Sequence, residues 1–139
     1  CNYLNNILAK QEALVKGFSE AIMLNADGFV AECTGDNIFL VKDGLLCTPS
    51  LDSGILNGIT RKFIIDELSQ ELELRVHECK VKLEDLYNSQ EVFLTGTAAE
   101  IIGVSRIDDH IIGSGFPGSL TDNFIKLFKD KVMLNAPEN

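Results

Sequence analysis

The chain has 139 residues, 45% of them hydrophobic, and its 12 Lys plus Arg against 21 Asp plus Glu give a formal net charge of -9. That length supports one well-buried core but hardly two, and the acidic balance argues against nucleic acid and anionic membrane surfaces as partners, since both require a basic face. Neither a signal-peptide pattern nor the roughly 20 apolar residues needed to cross a bilayer is found, so we expect a cytoplasmic protein.

The first half of the chain predicts a helix followed by two hairpins. Apolar residues recur at helical spacing over the first fifteen positions, and Gly17 is placed to end that helix. Each hairpin has an Asp-Gly step, which supplies the positive backbone angles of a tight turn. The strands are expected at 20–24 with 29–31, and at 37–41 with 45–48.

The second half alternates helices and strands. A helix is predicted from Gly58 to about Leu72, because apolar residues fall at helical intervals and no proline interrupts them. A strand, a short helix, an apolar strand and a further pair of strands follow, at 74–81, 83–87, 91–95, 101–107 and 111–112. The glycines near 115–118 open a last helix that we expect to end near Val132, with residues 133–139 as a flexible tail.

The cysteines predict no metal site. They lie apart without a CxxC pair, and neither histidine stands at metal-ligand spacing, so reduced core thiols are expected. Cys33 lies beside Glu32, where oxidation is the alternative to core packing.

Two segments have the chemistry of a phosphate-binding site. Gly58-Ile59-Thr60 stands at the start of the second predicted helix, where free backbone N-H groups and the positive end of the helix dipole attract an anion. Thr95-Gly96-Thr97 follows an apolar strand, and its small side chains let backbone N-H groups approach an anion closely. Each signal is weak alone, because such segments more often serve only as a helix cap or a turn.

Four segments resemble, in order, the successive signatures of class IV (fold type IV) aminotransferases. The segments are Asn2-Tyr3-Leu4-Asn5, Glu32-Cys33-Thr34-Gly35-Asp36-Asn37-Ile38-Phe39, Asp52-Ser53-Gly54-Ile55-Leu56-Asn57-Gly58-Ile59-Thr60-Arg61 and Thr95-Gly96-Thr97-Ala98-Ala99-Glu100. The resemblance implies an α+β (mixed α/β) fold, with a barrel-like, mainly antiparallel sheet, outer helices and pyridoxal 5'-phosphate (PLP) at its mouth. Residues 1–132 would be the C-terminal PLP-binding domain.

The resemblance also implies how the cofactor ring would be held. Glu32 matches the glutamate that faces the pyridine nitrogen, where a carboxylate keeps the nitrogen protonated so that the ring accepts electrons when the substrate loses its α proton. Tyr3 matches a tyrosine that contacts the 3'-oxygen of the ring. Leu56 matches the residue packed against one face of the ring.

The phosphate group would lie between two walls. Gly58, Ile59 and Thr60 match one wall, through backbone N-H groups and the threonine hydroxyl, and Thr97 matches the other. No contact is assigned to Arg61, which could pair with a nearby acid.

The substrate turn favours one activity among several. Ala98 and Ala99 match the turn whose N-H groups meet the substrate carboxylate in branched-chain enzymes, which indicates transamination of leucine, isoleucine and valine with 2-oxoglutarate. A D-amino-acid aminotransferase and an aminodeoxychorismate lyase share the scaffold and remain alternatives. A third alternative is a non-catalytic domain that only binds the cofactor or only folds.

No catalytic residue is assigned within the chain. In the family the lysine that forms the Schiff base lies a few residues before the Asn-Tyr motif, so its equivalent is expected just before Cys1. The smaller N-terminal domain of the family is likewise expected outside this sequence, so we expect an inactive fragment of a longer enzyme. Family members are usually homodimers or larger homo-oligomers, and the same is expected here.

Overall fold

A computed structural model describes residues 3–96, 100–115 and 117–134, without the side chain of Tyr3. The strands are β1 (Ile22–Leu24), β2 (Val30–Cys33), β3 (Asn37–Lys42), β4 (Leu45–Pro49), β5 (Val76–Cys79), β6 (Glu91–Gly96), β7 (Glu100–Gly103), β8 (Arg106–Ile107) and β9 (His110–Ile111). The helices are α1 (Tyr3–Val15), α2 (Ile59–Phe63 as α-helix, Ile64–Leu68 as π-helix and Ser69–Glu71 as a last α turn), α3 (Leu83–Tyr87) and α4 (Ser119–Leu134), with a 3-10 turn at Leu51–Ser53.

Five strands form the central sheet, in the order β5-β4-β3-β6-β7. Every neighbouring pair is antiparallel except β4 with β5, whose parallel pairing follows a crossover through α2. Two small antiparallel sheets, β1 with β2 and β8 with β9, complete the described strands.

The two predicted hairpins are confirmed. Asp43 and Gly44 between β3 and β4 have φ values of 52° and 77°, so both central residues of the turn adopt the positive angles of a type I' turn. Gly28 between β1 and β2 has a φ of 84°. The first hairpin is irregular, because the register shifts between Met23 and Leu24.

Side chains of β3 alternate between the two faces of the sheet, as strand geometry requires. Phe39 stacks on Phe93 of β6 with 5.1 Å between ring centroids, and both pack under α2 and α4. Ile38 and Leu40 belong to the core on the opposite face, together with Leu86 of α3. The centre of the sheet is therefore buried on both faces.

The second predicted helix is confirmed, with one local difference. Its middle turn is a π-helix, in which hydrogen bonds span five residues rather than four. Ile64 and Leu68, at the two ends of this segment, are both fully buried against the sheet. The apolar spacing that predicts a helix does not distinguish this variant from a regular one.

Two predictions near the C-terminal end need correction. The residues expected to form one strand over 101–107 form two, because β7 pairs with β6 whereas β8 turns into β9 around Asp108, with a φ of 51°. Helix α4 reaches Leu134, beyond the expected end near Val132. Two residues that we assigned to the tail are therefore helical.

Within residues 3–96, 100–115 and 117–134, no helix is long and apolar enough to span a membrane.

Candidate functional site

Glu32 lies on β2, half-buried, opposite Met23 of β1. Its Oε2 accepts hydrogen bonds from the backbone N-H of Leu56 at 3.2 Å and from Nδ2 of Asn37 at 3.3 Å. Burial raises the pKa of the Glu32 carboxyl, and the hydrogen bond from Leu56 acts in the opposite direction. The acid is thus held in place next to the segment that leads into α2.

Asn37 joins Glu32 to the start of α2. It is the first residue of β3 and only 6% exposed. Its Nδ2 also donates to the carbonyl oxygen of Leu56 at 2.9 Å. Its Oδ1 lies against Gly58, where an added Cβ would come within 2.5 Å of it. Gly58 therefore allows the helix start to approach the asparagine more closely than any larger residue would.

The start of α2 carries unused hydrogen-bond donors. Gly58 is the N-cap, with φ -61° and ψ 151°, and no side chain of the described residues caps the helix. The first backbone bond back to Gly58 comes from the N-H of Lys62 at 3.0 Å, so the N-H groups of Ile59 and Thr60 precede the helical ladder. Together with the positive end of the helix dipole, these donors favour a bound anion.

The end of β6 meets the same region. Thr95 pairs with Asn37 in the β3-β6 register, so their side chains lie on the same face of the sheet. The Oγ1 of Thr95 is buried and, among the described residues, has no hydrogen-bond partner. Gly96 packs closely against the carboxyl group of Asp36, and an added Cβ would overlap it. Glu32, the start of α2 and the end of β6 therefore converge around the first residues of β3.

The turn between Glu32 and Asn37 is held by a partly buried acid, Glu20. Oε1 of Glu20 accepts hydrogen bonds from the N-H and the hydroxyl of Thr34, and its Oε2 pairs with Lys10 of α1 at 3.2 Å. Burial raises the pKa of Glu20, but the hydrogen bonds from Thr34, from the backbone of Ala21 and from Lys10 outweigh it, and the pKa lies below its usual range. A charged Glu20 thus connects α1 to the turn beside the site.

Five of the predicted cofactor contacts are brought together. Glu32, Leu56, Gly58, Ile59 and Thr60 form one continuous region, in which Leu56 is 63% and Ile59 83% exposed whereas Thr60 is buried. The exposed Leu56 side chain is free to contact a ligand.

Four predicted contacts lie outside the described residues. They are the side chain of Tyr3 and the whole of Thr97, Ala98 and Ala99. Their roles stay predictions, although Gly96 brings the chain to within one residue of Thr97.

The side chains of Asn37 and Thr95 had no individual role among the residues predicted for the site. Asn37 begins β3 on the same face as Phe39 and Val41, so its side chain points into the core. A polar group in that position needs hydrogen-bond partners, and this was the signal that the sequence offered. For Thr95, the glycine that follows it indicated a turn and gave no signal for the hydroxyl at the end of β6.

Arg61 has a structural role that the sequence could not assign. It is 2% exposed, and its Nη2 donates to Oε1 of Glu78 at 2.7 Å and to the carbonyl of Pro49 at 3.1 Å. Its Nη1 donates to Oδ1 of Asn57 at 3.0 Å. The guanidinium is therefore engaged in fastening the first turn of α2 to β4 and β5.

Cys33 is a packing residue. It is 2% exposed within the core that contains Ile38 and Leu94, and burial raises the pKa of its thiol far above the usual range. Because the thiolate is the reactive form, this position disfavours oxidation.

The sequence matches known proteins over nearly its whole length. A family model described as amino-transferase class IV matches residues 1–107. A branched-chain-amino-acid aminotransferase of Pseudomonas aeruginosa is 41% identical over 130 residues, covering 94% of this chain and 42% of that protein. The chain thus spans less than half the length of this curated relative.

Solved structures agree with the sequence matches. The branched-chain amino acid aminotransferase of Escherichia coli superposes with a TM-score of 0.90 at 42% identity, over 93% of this chain and 43% of that one. The enzyme of the same name from Thermobaculum terrenum, solved in its PLP form, gives 0.92 at 39% identity, over 97% and 44% of the two chains. The expected mixed α/β fold with a mainly antiparallel sheet and outer helices is thereby confirmed.

Proposed function

The chain belongs to the class IV aminotransferase family, and on that premise we propose that it forms the PLP-binding domain of a branched-chain amino-acid aminotransferase. The complete enzyme would transfer the amino group of leucine, isoleucine or valine to 2-oxoglutarate. The observation that carries the proposal is the Glu32 carboxylate, hydrogen-bonded to Leu56 and tied through Asn37 to the start of α2. We assign residues 1–134 to this domain, because α4 continues to Leu134.

The described residues fit both ends of the cofactor. A phosphate group needs several donors, and the uncapped start of α2 offers the N-H groups of Ile59 and Thr60. The unpartnered hydroxyl of Thr95 lies on the face of the sheet that Asn37 shares. Thr97 is proposed as the second wall of the phosphate site, as the family resemblance implies.

The pyridine nitrogen of the cofactor requires an acidic residue beside it. The cofactor, when bound, supplies a pyridine ring that accepts the electrons of the substrate's α carbon. Glu32 would hold a proton at the ring nitrogen, because a fixed carboxylate favours the charged form of that nitrogen. Leu56 would cover one face of the ring and exclude water from it, and Tyr3 would contact the 3'-oxygen.

The remaining assignments belong to the same proposal. The backbone N-H groups of Ala98 and Ala99 would bind the substrate carboxylate. The Schiff-base lysine and the smaller domain would be supplied from outside the sequence described here. Assembly as a homodimer or larger homo-oligomer and a cytoplasmic location are likewise proposed from the family resemblance.

A substrate assay on the complete gene product that contains this chain tests the function. The protein, supplied with PLP, should convert leucine, isoleucine and valine with 2-oxoglutarate to glutamate and the corresponding 2-oxo acids. Glu32→Gln keeps the size of the side chain but cannot hold the ring nitrogen protonated, so we expect the transamination rate to fall by about a hundredfold or more.

The outcomes separate the alternatives. Conversion of D-alanine without conversion of leucine would favour a D-amino-acid aminotransferase, and release of pyruvate from aminodeoxychorismate would favour a lyase. If the protein binds PLP but converts none of these substrates, the domain is not catalytic. Full activity of Glu32→Gln would contradict the role assigned to Glu32.

A further inference from the structure

We propose that Asn37 is a positioning residue for the cofactor acid: it holds the Glu32 carboxylate in one orientation and fixes its distance from the start of α2. This inference rests on the proposed function, since it concerns the same site. Asn37 itself would touch neither the reacting atoms nor the substrate.

The first part of the case is the set of contacts around Asn37. Its Nδ2 donates to Oε2 of Glu32 and to the carbonyl of Leu56, at 3.3 and 2.9 Å. Its Oδ1 packs against Gly58 at the helix start. One side chain thus contacts the acid proposed for the ring nitrogen, the residue proposed for the ring face and the N-cap of the proposed phosphate site.

The second part is the way in which the carboxylate is held. The bonds from Leu56 N-H and Asn37 Nδ2 both end on Oε2 of Glu32. Among the described residues, Oε1 accepts no hydrogen bond. Two donors on Oε2 hold the Glu32 carboxylate in one orientation and leave Oε1 for a ligand N-H. Hydrogen bonds from neighbouring residues orient the ligating side chains of metal and catalytic sites in the same way.

The third part is the burial of Asn37. At 6% exposure its amide cannot exchange its partners for water, so the side chain stays in the one arrangement that satisfies Nδ2. A buried donor to a charged acceptor forms a stronger hydrogen bond than a neutral pair does. Asn37 therefore stabilises the ionised form of Glu32, which is the form that keeps the ring nitrogen protonated.

The test uses pyridoxine 5'-phosphate, which lacks the aldehyde and binds without a lysine. Its ultraviolet absorbance reports whether the ring nitrogen is protonated. In the complete gene product, Asn37→Ala should weaken binding by about tenfold and lower the pH at which the bound ring loses its nitrogen proton. Introduced into a Glu32→Gln protein, Asn37→Ala should change the affinity little, because the residue acts through the acid.

Asn25→Ala is the matched control. Asn25 also makes side-chain hydrogen bonds to backbone, with Ser53, Asp27 and Phe29, and none of these partners belongs to the site. The control should lose stability while keeping the affinity and the ring titration of the original protein. If Asn37→Ala does not fold, Asn37→Asp replaces it, since it keeps the shape, removes the donor and should weaken binding at least as much.

Two results would overturn the proposal. One is an unchanged ring titration in both Asn37 variants, and the other is a loss of affinity that is equal with and without the Glu32→Gln substitution. Failure of the original protein to bind pyridoxine 5'-phosphate would refute the proposed function instead. In that case the pKa of Glu32 is measured by carbon-13 NMR in the ligand-free protein. A higher Glu32 pKa in Asn37→Ala than in the original protein supports positioning, and an unchanged Glu32 pKa contradicts it.

Discussion

Two buried threonines, on the strands that flank β3, differ in their hydrogen bonding. Thr48 is fully buried and its Oγ1 donates to the carbonyl of Ile38 at 2.7 Å. Thr95 is 1% exposed and its Oγ1 has no partner among the described residues. A buried hydroxyl without a partner costs free energy in the ligand-free protein. Such a cost is expected where the group serves a ligand that binds later.

Replacement of each threonine by valine tests this difference, because valine has the same shape without the hydroxyl. Thr95→Val should leave the free energy of unfolding of the ligand-free protein unchanged or raise it by about 1 kcal/mol, whereas Thr48→Val should lower it by about 1 kcal/mol. Urea denaturation of both variants measures the effect. Thr95→Val should also weaken the binding of PLP, and Thr48→Val should not.

An equal loss of stability in both variants would contradict this account. It would mean that the Thr95 hydroxyl has a partner in the folded protein, and Thr95 would then no longer be a candidate for the phosphate site.

At the level of elements, the position of α2 depends on a buried cation. Arg61 lies in the first turn of the helix and bonds to Glu78 of β5 and to the carbonyl of Pro49 on β4. The start of the same helix forms the proposed phosphate site. The ion pair thus sets where the free N-H groups of Ile59 and Thr60 lie relative to the sheet.

Arg61→Ala should lower the free energy of unfolding by about 3 kcal/mol, because it leaves a buried carbonyl unpaired and opens a cavity under the helix. The 42% exposed Glu78 can turn to water, which limits the loss. Lys16→Ala is the control, since Lys16 pairs with Glu12 on the exposed surface of α1 and its loss should change the stability little.

Chemical denaturation of the two variants gives both values. If Arg61→Ala is as mild as Lys16→Ala, α2 is held by its apolar contacts with the sheet, and the ion pair does not position the phosphate site. Arg61→Lys should not restore the stability, because one ammonium group cannot reproduce the forked contacts of the guanidinium.

For the whole molecule, local patterns in the sequence predicted most of the elements. The Asp-Gly turns located both hairpins, apolar spacing located α1 and α2, and the glycines near 115–118 located the start of α4. The pairing of β7 with β6 could not be predicted in this way, because it depends on contacts between strands and not on the local pattern. The π-helical turn in α2 was missed because the apolar spacing of Ile64 and Leu68 is equally compatible with a regular helix.

The candidate site could be predicted in part. Glu32 and Gly58-Ile59-Thr60 were identified from their motifs, and the structure places them side by side. Asn37 also links the two segments, through partners that are 5 and 19 residues away in the chain. No periodic pattern encodes such contacts, so the residue that joins the two halves of the site had no assigned role.

A crystal structure of the complete gene product with PLP is the most direct measurement of the central claim. The account predicts the ring nitrogen within hydrogen-bond distance of the Glu32 carboxylate and the phosphate group on the backbone N-H groups of Ile59 and Thr60. A cofactor bound elsewhere, or a Glu32 side chain turned away from the ring nitrogen, would contradict it.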